Sequence, residues 1–157
     1  MKCLHSAVLF LVILVSPLTA AWGQGTETFE TSPLAIETAD GRIDFTVELA
    51  ISQAQMRQGL MYRRKMARDA GMLFDYGWPR PASMWMKNTY IPLDMLFIDS
   101  DGWIVRIAER TVPQSLAVIS SGAPVRGVLE LNGGSAARFG IAPGDRVRHE
   151  VFGTAAP

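Results

Sequence analysis

The stretch MWMKNTYIPLDMLFID, Met84–Asp99, decides how the rest of the chain is read. It is the most apolar segment after the N-terminus, yet it holds Lys87, Asn88 and Asp94. Polar groups buried in a core strand are costly unless each finds a partner. Pro92 cannot donate to a sheet ladder, so two strands with a break at Asn88–Pro92 are expected here rather than one. Polar residues at such a break can either aim into a pocket or lock a corner by bonding nearby backbone. If Trp85–Thr89 is extended, Trp85 and Lys87 point one way, and Met84, Met86 and Asn88 the other.

Downstream, Leu93–Ile98 and Trp103–Ala108 flank Asp99-Ser-Asp-Gly102, a hairpin signal, and the first of these strands is apolar on both faces. Upstream, Gly71–Phe74 reads as a short strand, and Asp75–Ser83 as a loop punctuated by Gly77, Pro79 and Pro81. Before that, Leu34–Thr38 and Arg42–Ala50 form a second hairpin about Asp40-Gly41. Ile43, Phe45, Val47 and Leu49 alternate there with polar residues. Ser52-Gln-Ala-Gln55 has the form of a capping box opening a helix to about Met61 or Arg64, with Met56 and Leu60 toward the core. Gly59 within it leaves room for close packing.

Beyond the second hairpin, Val112–Pro124 reads mostly as loop. Val125–Asn132 reads as a strand, with Val125, Leu129 and Leu131 on one face and Glu130 on the other. Ser135–Phe139 is a short helix ended by Gly140, Pro143-Gly144 a type II turn, and Arg146–Phe152 a last strand. The whole predicts a mainly β fold: a single compact β-sandwich, jelly-roll-like or barrel domain over residues 34–153, with two short helices.

Of the 157 residues, 15 are basic and 15 acidic, which suits one domain with a leader. Residues 1–23 have signal-peptide order: Lys2, then an apolar run at Ala7–Val15, then small residues for cleavage after Ala21 or Gly23. Residues 24–33 are polar and aperiodic and are expected to be a flexible segment. The chain is thus expected to be exported, periplasmic or secreted, with no membrane span after signal cleavage. Cleavage removes Cys3, the one cysteine, and with it disulfides, thiolate metal sites and cysteine catalysis. His149 is then the one histidine, which gives little support to Ser–His or multi-histidine sites. Interleaved charges leave no footprint for nucleic acid. No cofactor and no metal is expected. Thioethers of Met84 and Met86 could serve Cu(I), but methionine is a routine core filler and no histidine lies near them in sequence.

Lys87, Asn88 and Asp94, beside Trp85 and Tyr90, form the first candidate site. Asp94 and Glu130 form the second, as an acid–base pair or as members of a structural ion pair. The segments Gly59-Leu-Met-Tyr-Arg63, Gly71-Met-Leu-Phe74, Trp85-Met-Lys-Asn-Thr89, Ile91-Pro-Leu-Asp94, Val128-Leu-Glu-Leu-Asn132 and Gly144-Asp145 occur in that order. Together they resemble the prokaryotic family known as domain of unknown function 192. The resemblance covers about Leu34 to Phe152 and implies a compact, mainly β, often exported domain without an established activity. It carries family motif positions onto Arg63, Met72, Trp85, Lys87, Asn88, Thr89, Asp94 and Glu130. The expected function is a binding module of the cell envelope for a small molecule or glycan, with ligand contacts from Trp85, Lys87, Asn88, Thr89, Asp94, Arg63 and Glu130. The alternatives are a hydrolase using Asp94 and Glu130, and an accessory domain that docks a protein through an exposed Trp78 or Trp103.

Overall fold

The turn at Asp40-Gly41 forms as expected in the computed structural model, which describes residues 27–154. It joins β1 (Thr31–Thr38) to β2 (Gly41–Ala50), antiparallel, with Thr38 opposite Gly41. Phe45, Val47 and Leu49 are buried, and Ile43 packs beside them. β1 starts three residues ahead of Leu34, because β2 is long enough to pair with Thr31, Ser32 and Pro33 as well. Those three therefore belong to the sheet rather than to a flexible segment. Just before them, the Glu27 N–H donates to Gln58 Oε1 at 2.8 Å, and Gln55 Nε2 donates to the Thr28 carbonyl at 2.7 Å. The expected signal peptide, residues 1–23, lies outside the described residues.

Ser52 and Gln55 close the capping box that opens α1 (Gln53–Gln58). The helix ends there, short of Met61 or Arg64, because Gly59 takes φ 47° and ψ −137°, which no helix continues through. A Cβ at this position would crowd the Phe74 ring at 3.1 Å, and the positive φ is itself one that favours glycine.

β3 (Ala70–Met84) runs parallel to β2 and antiparallel to β6 (Ile119–Asn132). Asp75–Ser83, expected to be a loop, in fact extends this pair into an arm with Ile119–Pro124, while Val112–Val118 lies outside the strands as expected. The turn signals in Asp75–Ser83 mark a bulge, where the register slips between Asp75 and Arg80 and Gly77 takes φ 78°. Asp75 staples the bulge, with Oδ1 accepting from Gly77 N at 2.8 Å and from Arg126 Nε at 2.7 Å. Burial raises the pKa of this carboxyl, but the Arg126 and Gly77 hydrogen bonds outweigh burial and hold it below the usual range. Further along, Pro81 sits opposite Pro124, which sets two residues lacking an N–H against each other. Past the slip, Val125 packs in the layer of Phe74 and Phe97 rather than with Leu129.

β4 (Leu93–Ile98) and β5 (Ile104–Thr111) form the expected hairpin, and all six residues of β4 are buried. With β7 (Arg146–Arg148) the strand order is β5-β4-β6-β3-β2-β1-β7. The two ends of this sheet meet: Trp103 bridges Arg146, Ile104 N donates to the Asp145 carbonyl at 2.9 Å, and Val147 N to the Gly102 carbonyl at 2.7 Å. The domain is thus mainly β, a single curled, barrel-like sheet with two short helices. The expected last strand stops at Arg148, because His149 Nδ1 accepts the Val151 N–H and starts a 3-10 turn at Glu150–Phe152. One apolar cluster, including Leu34, Phe45, Leu73, Leu96 and Leu129, fills the concave side. A second, including Leu60, Met72, Phe74, Met86 and Phe97, covers the other face.

Asp94, on β4 and fully buried, fixes the corner between β5 and α2 (Ser135–Phe139). Its Oδ1 accepts from Arg110 N at 2.7 Å and Gly134 N at 2.9 Å, and Oδ2 accepts from Ala136 N at 2.8 Å. Each buried N–H left without a partner costs about 1–3 kcal/mol. Asp94→Ala is therefore expected to lower unfolding free energy by about 4 kcal/mol in urea titrations.

A candidate ligand-binding cleft

The break in the Met84–Asp99 stretch lies where Pro92 predicts it. β3 ends at Met84, β4 begins at Leu93, and the chain between them turns at Lys87-Asn88. The turn replaces the alternation expected for an extended Trp85–Thr89. Thr89 N donates to the Met86 carbonyl at 3.0 Å, Met86 is fully buried, and the Lys87 ammonium lies 5.1 Å from the Trp85 ring centre. Asn88 and Tyr62 both adopt left-handed backbone, at φ 55° and 66°, and hold each other there. Tyr62 N donates to the Asn88 carbonyl at 2.8 Å, and Asn88 Nδ2 donates to the Tyr62 hydroxyl at 2.9 Å. Asn is among the few side chains that tolerate this backbone.

The turn faces α1 across a cleft of about 690 Å³. One wall is α1 and the turn after it, with Met56, Arg57 and Leu60. The other is the β3 arm, with Tyr76, Arg80 and Met84, continued by Trp85, Lys87, Asn88 and Thr89. Phe74 and Glu130 complete the lining. The Arg80 guanidinium lies 4.2 Å from the Tyr76 ring centre, so this cation too rests on an aromatic face. Tyr76 is itself largely shielded: its hydroxyl donates to Met84 Sδ at 3.3 Å, and burial pushes its pKa up to about 12.

Glu130 is the group that most needs explanation. It is 4 % exposed and sits on β6 between the fully buried Met72 and Met95, its cross-strand neighbours. No side chain or backbone group among the described residues hydrogen-bonds its carboxyl. Burial alone pushes its pKa up to about 8, so it is mostly protonated at neutral pH. A neutral carboxyl opening onto the cleft can donate one hydrogen bond and accept others.

Five of the expected site residues are thus brought together: Trp85, Lys87, Asn88, Thr89 and Glu130. Two are not. Arg63 pairs with Glu48 on β2 and lies over the Phe29 ring. Asp94 pairs with Leu131 and Glu130 with Met95, so the two carboxyls occupy adjacent register positions and face opposite sides of the sheet. The acid–base pair Asp94/Glu130 is therefore not assembled, and all three of the hydrogen bonds Asp94 accepts are spent on backbone. Arg57, Tyr76 and Arg80 escaped the sequence reading, and Met84 entered it only as a possible thioether ligand. Tyr76 and Arg80 lay in a segment that resembled a loop, and no spacing links them to Arg57 until the fold sets the arm across the cleft from α1.

The class defined by this geometry is a barrel-like β domain with an open cleft beside one short helix. The chain belongs to the family DUF192, described as uncharacterized ACR, whose profile matches residues 35–149. A crystal structure from Sinorhizobium meliloti 1021, described as a "putative transcription regulator", is 54 % identical with a TM-score of 0.78, covering 81 % of this chain and 99 % of that one. A protein of unknown function from Novosphingobium aromaticivorans DSM 12444 is 36 % identical with a TM-score of 0.75, covering 85 % of this chain and 90 % of that one. Among curated proteins none matches.

The raised pKa of Glu130 makes stability pH-dependent. Between its ordinary value and about 8 the folded state holds a proton that the unfolded state has lost, so the stabilisation is full below pH 4.5 and is lost as pH rises through 8. Glu130→Gln has no such proton. Its unfolding free energy is expected to gain on wild type by up to about 1.4 kcal/mol per pH unit across that window, then level off, in urea titrations from pH 4 to 9.

Proposed function

We propose that the chain is an exported binding module of the cell envelope, taking a small molecule or short glycan in the cleft between α1 and the Trp85–Thr89 turn. The observation that carries this reading is Glu130: a carboxyl held almost out of water, without a protein partner among the described residues, opening onto a cleft of ligand size. With no protein group bonding it, this carboxyl is open to hydrogen-bond a ligand that enters the cleft. Trp85, 49 % exposed at the mouth, offers a platform for a ring or a sugar face. Export rests on the order of residues 1–23 in the sequence. A balanced charge and helices of six and five residues favour a small ligand over nucleic acid.

A second reading, docking of a protein partner, has Trp78 in its favour. It is 65 % exposed within the β3 bulge and outside the cleft lining. Thermal-shift screening of metabolites and oligosaccharides separates the two. Binding in the cleft predicts a stabilising hit whose affinity drops about tenfold in Trp85→Ala, or about 1.4 kcal/mol, and is unchanged in Trp78→Ala. A hit equally indifferent to both substitutions would place the ligand elsewhere.

A further inference from the structure

Charge in the cleft is one-sided. Arg57, Arg80 and Lys87 line it, and none of the three makes an ion pair with a carboxylate among the described residues. The other arginines nearby are spoken for: Arg63 pairs with Glu48, and Arg126 with Asp75. Glu130 is the one acidic residue in the lining, and it lies buried among methionines and phenylalanine rather than beside the cations. Two of the cations have fixed footings, Arg80 on the Tyr76 ring and Lys87 on the Trp85 ring. A cation held on an aromatic face keeps its outward side free to bind an anion. The lining also has an apolar share, from Met56, Leu60, Phe74 and Met84, beside the polar Gln58, Ser83, Asn88 and Thr89.

The cleft therefore combines exposed cations, apolar surface and one buried carboxyl. Resting on the binding-module reading above, we infer that the ligand is an amphipathic organic anion. Its carboxylate or phosphate meets Arg57, Arg80 and Lys87, its apolar body lies on the Met56–Phe74–Met84 surface, and a hydroxyl or carbonyl at its far end hydrogen-bonds Glu130. A cationic ligand is disfavoured by three like charges at the cleft. A fully apolar tail is disfavoured at the inner end, because it would leave the Glu130 carboxyl without a partner. A neutral sugar would satisfy Glu130 but leave the cations unused.

A matched set of twelve-carbon probes tests each part: 12-hydroxydodecanoate, dodecanoate, dodecane-1,12-diol and 12-aminododecan-1-ol, titrated into the purified protein by calorimetry and by NMR of the cleft residues. The hydroxy acid is expected to bind at least ten times more tightly than the diol or the amino alcohol, and more tightly than dodecanoate. Arg80→Gln and Lys87→Gln, both at exposed positions, should each weaken the hydroxy acid several-fold while leaving the diol unaffected. Glu130→Leu should erase the preference for the hydroxy acid over dodecanoate. Tighter binding of the amino alcohol or the diol overturns the anionic class while leaving a binding module standing. So does hydroxy-acid binding that is indifferent to loss of both cations. Cleft resonances that move with none of the four probes overturn the anionic class, while the binding-module reading is decided by the metabolite and oligosaccharide screen above.

Discussion

Three backbone N–H groups converge on one carboxylate, and the closure of the sheet depends on it. Asp94 takes its donors from Arg110 on β5 and from Gly134 and Ala136 at the start of α2. These segments are far apart in sequence, and none could bury its N–H there without this acceptor. Fixing α2 against β4 also fixes the chain that follows it, through the Pro143-Gly144 turn, and so places β7 beside Trp103. The carboxyl group is wholly buried, yet its bonding is nearly complete, which makes it a structural group.

Glu130 shows the opposite balance only one register position away. It shares with Asp94 a place on the β4–β6 pair, but the pleat sends it to the other face, where Met72 and Met95 offer nothing to bond. The different fates of the two carboxyls come from neighbourhood rather than residue type. The cleft around Glu130 exists because the second apolar layer is covered unevenly. α1 ends early at Gly59, and the β3 arm bends away at its bulge, leaving a gap between two coverings that each bury part of the sheet.

The alternating strands, the Asp-Gly turns, the capping box and the Pro92 break were all legible in the sequence, because each is enforced by neighbours within a few residues. Turn residues at Gly77, Pro79 and Pro81 were misleading, since a bulge and a loop demand the same backbone freedom and differ only in what pairs on either side. The Trp85–Thr89 and Glu130 half of the site was visible as polar residues in apolar surroundings. Arg57, Tyr76 and Arg80 carried no such contrast. Their membership depends on the arm facing α1 across the cleft, a juxtaposition of segments about twenty residues apart. Arg63 was misplaced for a related reason: its partner, Glu48, lies on a strand that reads as ordinary alternation.

The meeting of β5 and β7 has a consequence for life outside a single molecule. An open seven-stranded sheet would offer two unpaired edges on which another chain could build. Here Gly102–Ile104 and Asp145–Val147 satisfy each other, β7 is only three residues long, and β5 carries Arg106, Glu109 and Arg110 on exposed positions. Beyond Ile104 the outer edge of β5 has no ladder partner among the described residues, and its charged positions are what blunts it as a template. Crowded copies of the chain should therefore stay separate, without needing a disulfide to hold the barrel shut.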